Sequence, residues 1–383
     1  MYYNDKMKID CDIPAGNIIV DRLDGPHATL LKDLRDTEGN WFYWKFRAFF
    51  DTPGVYSFTF GNGPAIGERG PAVSTDRGAT WFWLGNETTK RDPDSFSYRY
   101  DGSPAKREVW FCMAIPYLQS NWEAFLAKKT GSPFLMASSL CASRKGRPVE
   151  RLSVSDGRYS PAKKRLLLTS RNHACEMMAT YVLEGILDAS LEESPFGRNF
   201  RDRFETIAIP FIDKDGVEDG DQGKYRRPHD HNRDYWETPV YPETTAVMDL
   251  VRAWKPDVSI DLHCPWLHDV GNPHGTAKLI HILFPPDGEG GEATRRFGAA
   301  LEKETPAEVP YSNADGLPFG TRWNNDDTTP EQGFTCDQWC RKNGVETAFC
   351  IEVPYAAVHE RTFTPENARA FGKAIARSLL QTF

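Results

Sequence analysis

The sequence predicts an α/β unit built on a mixed, largely parallel sheet flanked by helices, preceded by a smaller all-β sandwich. Three observations carry this. Aromatic-rich, partly alternating segments with Gly, Pro and Asp breaks fill the first 115 residues; apolar strand-like runs alternate with amphipathic helical patterns from about Pro116; and 383 residues exceed one ordinary core. The expected division is residues 1–115 for the β sandwich and 116–383 for the α/β unit.

In the first part, residues 41–50, 56–60, 96–100 and 109–113 read as strands because aromatic and β-branched side chains suit a half-buried pleated surface. Residues 74–81 fit an S-x-D-x-G-x-x-W hairpin pattern. It occurs once, so it predicts a single stabilised hairpin rather than a propeller blade. Gly61, Gly63 and Gly67 miss G-x-G-x-x-G spacing and open no helix, which argues against a nucleotide site. In the second part, strands are expected at 165–170, 206–211, 258–263, 279–284 and 345–353, and helices at 176–189, 243–254, 292–303 and 365–380. For the last helix, Thr364 supplies a cap, Pro365 suits the first turn, and Ala368, Phe371, Ile375 and Leu379 form one apolar stripe. Residues 305–333, rich in Gly, Pro, Asn and Asp, read as a long loop that is a lid, a binding loop or disordered.

Composition narrows the function classes. A 40 % apolar fraction with 11 Trp supports large buried cores, while 46 basic against 54 acidic residues give a net charge of −8. No basic block with interleaved aromatics is present, so nucleic acid is not an expected partner. No apolar run approaches the roughly 18–20 residues of a membrane span, so no membrane partner is expected either. The start lacks a signal-peptide apolar core, and the expected location is the cytoplasm. Eight scattered cysteines without a CxxC pair read as reduced core thiols. Cys336 and Cys340 stand at helical spacing, which reads as two thiols on one face, with pairing or metal binding as the alternative.

The residues that carry chemistry sit at strand ends. Between 170 and 178 an apolar strand gives way to a helix, placing His173 and Glu176 three apart, where both can aim at one centre. His263 ends another apolar strand, and carboxyl ends of strands are where open α/β sheets keep their sites. Two imidazoles and one carboxylate leave a fourth tetrahedral position for water, so one Zn²⁺ per chain and hydrolytic chemistry are expected. Asp261 faces the same side of its strand as His263, as a salt-bridge partner or as support for that imidazole. Glu352 is a lone carboxylate in an apolar strand, costly to bury unless paired or aimed into a site. A serine hydrolase is disfavoured because no G-x-S-x-G elbow follows a strand.

The order His-x-x-Glu, then Tyr-Arg and Asn-Arg, then a strand-ending His and a strand-borne Glu resembles the zinc metallocarboxypeptidase family over most of the chain, its cytosolic branch above all. That branch carries an aromatic β sandwich ahead of its catalytic domain, joined through a segment similar to residues 114–122. Ile212-Asp-Lys-Asp-Gly-Val217 stands where the family has Asn-Pro-Asp-Gly-Val.

The resemblance implies a carboxypeptidase-like fold. It implies zinc held by His173, Glu176 and His263, and hydrolysis of a C-terminal or side-chain-linked amino acid from a peptide with a free carboxylate. It makes Asn232 and Arg233 the clamp on that carboxylate, which a guanidinium fork grips bidentately. Arg226 matches the oxyanion-stabilising arginine, although it stands six residues before Asn232, closer than the family usually shows, and Arg227 is the alternative. Glu352 matches the glutamate that takes a proton from the attacking water and passes it to the leaving amine. The branch's His-Gly-His is His263-Cys-Pro-Trp266 here, and no tyrosine is assigned to cover the substrate. A deacylase of N-acyl amino acids or an amidase of cell-wall peptides would need the same site. A non-catalytic binding protein with a degenerate site would usually have lost a ligand or the base.

Overall fold

The computed structural model describes residues 2–269, 275–325 and 333–383. Aromatic side chains build the N-terminal, sheet-rich region. Lys45–Phe50 and Glu108–Cys112 belong to a six-stranded sheet, and Gly54–Phe60 and Asp94–Tyr100 to a five-stranded one. Rings from the two sheets meet in tilted or offset pairs, Phe50 with Tyr56 at 4.4 Å, Phe111 with Phe96 at 5.2 Å and Phe46 with Phe58 at 5.5 Å between centroids. The 74–81 pattern forms one hairpin turn. Ser74 Oγ donates to Asp76 Oδ1 at 2.7 Å, that oxygen accepts Thr80 N at 2.9 Å, and Trp81 Nε1 donates to Gly78 O at 3.0 Å.

The α/β part is a seven-stranded sheet in the order Leu135–Ala142, Pro148–Val154, Phe204–Ile209, Lys164–Ser170, Val258–His263, Thr347–Glu352, His281–Leu283. The four strands from Phe204–Ile209 to Thr347–Glu352 run parallel and the flanking ones antiparallel. This is the mixed, largely parallel sheet that the alternating pattern predicts. Helices Met177–Leu191, Pro242–Trp254, Glu289–Glu304 and Pro365–Thr382 fall where periodicity puts them, the last capped by Thr364 Oγ1 accepting Asn367 N at 3.2 Å. Helices Gln119–Ala127, Pro195–Arg203, Lys214–Asp219 and Cys336–Lys342 are not among the expected helices, since none exceeds 9 residues and so short a run shows few turns of any pattern.

Met177–Leu191 and Pro365–Thr382 cross closely because glycine lines both sides of the contact. A Cβ at Gly185 would lie 2.1 Å from Arg369 O, and one at Gly372 would lie 2.1 Å from Val182 O. One connected apolar core runs from Met7 through both parts to Leu379, so burial does not break between the sheet-rich region and the α/β part.

All eight cysteines are free thiols, and Cys336 and Cys340 are buried on one helix. Among the described residues no helix is long and apolar enough to cross a membrane. The loop expected at 305–333 carries a single 3-10 turn, Asn313–Asp315, among its described residues, and its residues 326–332 lie outside them.

Candidate metal centre

Three parallel strands deliver the site at one sheet edge. Lys164–Ser170 ends just before His173, Val258–His263 ends on His263, and Thr347–Glu352 ends on Glu352. His263 and Glu352 are register partners, as are Glu352 and His281, so the three side chains leave the same face of adjacent strands. After Ser170 the chain turns through Arg171 at φ 61°. The buried Arg171 guanidinium ties the loop down by donating to Tyr117 O at 3.0 Å and Ala174 O at 2.9 Å. Glu176 sits at the N-cap position of Met177–Leu191, where the helix end favours negative charge.

The Glu176 carboxylate lies between the two imidazoles. His173 Nδ1 is 2.9 Å from Oε1 and His263 Nδ1 is 2.8 Å from Oε2. The candidate ligand atoms of His173, Glu176 and His263 all lie within 4.8 Å of one another. Each imidazole is backed by a second carboxylate: His263 Nε2 by Asp261 Oδ2 at 2.7 Å, and His173 Nε2 by Asp230 Oδ1 at 3.3 Å. Carboxylates behind metal-ligating histidines fix ring orientation and raise ligand basicity, so this donor set fits a zinc ion. Asp261 is itself held by Thr169 Oγ1 at 2.7 Å and by Asn172 Nδ2 at 3.0 Å. It faces His263, as strand alternation allows.

Charge at this edge is concentrated and dry. Burial opposes ionisation of Glu176, yet Lys224, His173 and His263 hold its carboxyl well below the usual range. Burial likewise opposes the imidazolium forms, but Glu176 and Asp230 raise His173, while Asp261 and Glu176 raise His263 well above its ordinary value. Glu352 moves the other way, pushed upward by burial and then by Glu176. Its Oε2 is buried without a hydrogen-bond partner among the described residues. A buried carboxylate oxygen with nothing to bond is expensive in a purely structural strand.

Asp230 links the metal loop to the proposed clamp. It accepts Asn232 N at 2.8 Å and Tyr225 N at 2.8 Å, and reaches His173 as above, so the His231–Arg233 turn is indexed to the His173 loop. Asn232 Oδ1 accepts Cys336 N at 3.3 Å. The Arg233 guanidinium donates to Asn232 O at 2.8 Å and has no carboxylate partner among the described residues.

The structure does not bring Arg226 into this cluster. Its two arms are held by Asp213 Oδ2 at 2.6 Å and Asp221 Oδ2 at 2.8 Å. Arg227 is exposed to solvent and pairs with Glu38 at 3.0 Å. The cation in contact with a candidate ligand is Lys224, whose Nζ is 2.6 Å from Glu176 Oε1. Sequence reasoning missed Lys224 and Asp230, although each stands two residues before a named candidate, Arg226 and Asn232.

Arg226 therefore has a structural load that can be measured. Its side chain is 10 % exposed and Asp213 is fully buried. Arg226→Ala would strand buried carboxylates and is expected to cost about 3–5 kcal/mol, the usual loss when one partner of a buried pair is removed. Denaturant unfolding with an unchanged m-value is the check, and a loss under about 1 kcal/mol, the scale of a surface pair, would refute the buried-network account.

A two-histidine, one-carboxylate cluster on the carboxyl edge of a parallel sheet, with a half-buried glutamate on the next strand, fits the class of carboxypeptidase-type metallopeptidases. Residues 123–358 match the zinc carboxypeptidase family, more than half of the chain, and the chain belongs to that family. It is 21 % identical over 291 residues to cytosolic carboxypeptidase 2 of Xenopus tropicalis, covering 71 % of this chain but 28 % of that protein's length. An uncharacterised Zymomonas mobilis protein is 25 % identical over 314 residues, 78 % of this chain and 77 % of its own. In fold the chain is similar to a putative carboxypeptidase A from Shewanella denitrificans, with a TM-score of 0.79, 21 % identity, and coverage of 98 % of this chain and 99 % of that one.

Proposed function

We propose that the chain is a zinc-dependent carboxypeptidase that binds one zinc ion through His173, Glu176 and His263 and hydrolyses an amide bond next to a free carboxylate. The observation that carries this reading is the Glu352 carboxylate. It is half-buried, its Oε2 atom is buried and unpartnered among the described residues, and it emerges beside His263 on the same face of the sheet. A zinc ion held by the three ligands supplies a Lewis acid that polarises a carbonyl and lowers the pKa of water toward 7. Glu352 takes a proton from the attacking water and passes it to the departing amine. Arg233 pairs with the substrate carboxylate, and Asn232, held beside it, helps orient that group. The cytosolic description of the Xenopus relative, and eight free cysteines, support placing the protein in the cytoplasm.

The deciding experiment is a screen of short peptides with varied last residues, alongside amidated counterparts and N-acyl amino acids. Cleavage of the free-carboxylate peptides alone supports the carboxypeptidase reading. Preference for acyl amino acids, or indifference to amidation, would overturn it. Arg233→Ala is expected mainly to raise KM, because a carboxylate clamp acts in ground and transition states alike. Amidated peptides should be poor substrates already and lose little further. An unchanged KM for the free-carboxylate peptide would remove Arg233 from the clamp.

A further inference from the structure

We infer that Lys224, rather than Arg226, supplies the positive charge facing the carbonyl oxygen under attack. The assignment rests on the hydrolase reading above. In an extended segment residues 224 and 226 share a face, but Tyr225 between them adopts φ 47°, which breaks that alternation. The two cations part at this turn. Arg226 goes to Asp213 and Asp221, and Arg35 adds its own Nε contact to Asp221 at 2.9 Å. Lys224 goes to Glu176, on the oxygen that His173 Nδ1 also approaches at 2.9 Å.

Glu176 is the one carboxylate that Lys224 contacts among the described residues, and it is also a proposed zinc ligand. With Glu176 serving as a metal ligand, that oxygen would be shared, and the ammonium would keep its longer bond to Cys264 O, at 3.3 Å. The ammonium is then free to turn toward new negative charge beside Glu352. Its surroundings keep it there. Nζ lies 5.2 Å from the Trp41 ring centroid and 6.0 Å from that of Phe42, and the Lys224 carbonyl accepts Thr37 Oγ1 at 2.6 Å. A cation already held against two aromatic rings beside the site needs only a small turn when charge develops next to it, which keeps reorganisation low.

In the step it serves, the water oxygen bonds to the carbonyl carbon while Glu352 takes its proton. The C=O pair moves onto oxygen, opposite Lys224. That pair returns as the C–N bond breaks, and the amine leaves with the proton from Glu352.

The test uses the zinc-loaded full chain carrying Lys224→Met, with Lys224→Gln as a second variant should the first fold poorly. With the best free-carboxylate peptide, kcat should fall about 10²–10³-fold with KM nearly unchanged, the scale for loss of one oxyanion donor. Zinc content should stay at the wild-type level. Lys224→Arg should recover much of the rate, and added ethylamine should partly rescue Lys224→Ala. By calorimetry, a phosphinic peptide that mimics the tetrahedral carbon should lose affinity by a factor similar to kcat, while a simple carboxylate inhibitor should not. Retained kcat, or a loss that follows loss of zinc, would assign Lys224 to holding Glu176 alone and overturn the inference. A wild type that cleaves no peptide would sink the hydrolase reading, and the calorimetric comparison would still decide Lys224, since equal phosphinic affinities in wild type and Lys224→Met refute it.

Discussion

Glu352→Gln is expected to lower kcat by two or more orders of magnitude with zinc still bound, the usual scale for loss of a general base. Gln keeps the shape of Glu but cannot accept a proton at the same oxygen. The substitution should fold, because Glu352 Oε2 has no hydrogen-bond partner to lose among the described residues and burial already pushes its carboxyl toward the neutral form. A carboxylate that served only to hold its strand would behave otherwise. Steady-state kinetics with elemental analysis on the same sample separate the two. A Glu352→Gln protein that remains fully active with its zinc, or one that unfolds, would remove the base from the scheme.

The second large effect belongs to His263→Ala. Its imidazole bridges Glu176 Oε2 at 2.8 Å and Asp261 Oδ2 at 2.7 Å, so its loss removes a zinc donor and leaves two buried carboxylates short of a partner. Bound zinc is expected to drop from about one per chain to near none, and activity to background. Asp261→Asn tests the same edge more gently. It keeps the ligand but weakens its backing, and removing such a supporting partner typically costs about 10–100-fold in metal affinity. Zinc retained at the wild-type level in His263→Ala would exclude His263 as a ligand.

Much of this architecture was legible because strand ends write themselves into sequence. Val258–His263 alternates Val, Ile and Leu with Ser259, Asp261 and a terminal His263, and Thr347–Glu352 is largely apolar until a single carboxylate, so period and composition point both terminal side chains to one sheet edge. The His-x-x-Glu spacing did the same for the first loop. Arg226 was not legible, for a physical reason. It stands closer to Asn232 than the family pattern has it, and a left-handed residue at Tyr225 together with the nearby Asp213 and Asp221 decides where its guanidinium goes. Asp213 and Asp221 are ordinary loop acids until the chain is folded. Lys224 was hidden for the same cause, since its aromatic niche comes from Trp41 and Phe42, far back in the chain. Short helices such as Lys214–Asp219 escaped because six residues cannot display a 3.6-residue period.

The segment around residues 220–227 is held from both sides. Gly223 presses on the His173 loop, where a Cβ would lie 2.2 Å from Ala174 N. Asp36 accepts Gln222 N at 3.1 Å and Gly223 N at 2.9 Å from the sheet-rich region, and Asn17 Nδ2 reaches Gly220 O at 2.8 Å. Asp36 and Gln222 stand 186 residues apart. At a synthesis rate of about 5–20 residues per second, the acceptor surface leaves the ribosome roughly 10–40 s before the segment it receives. That interval exceeds the millisecond-to-second folding times of small β units. The acceptor residues are thus synthesised well before the metal-adjacent loop that they hold. A gene permuted to encode residues 116–383 first would preserve these contacts in the final fold while reversing that schedule.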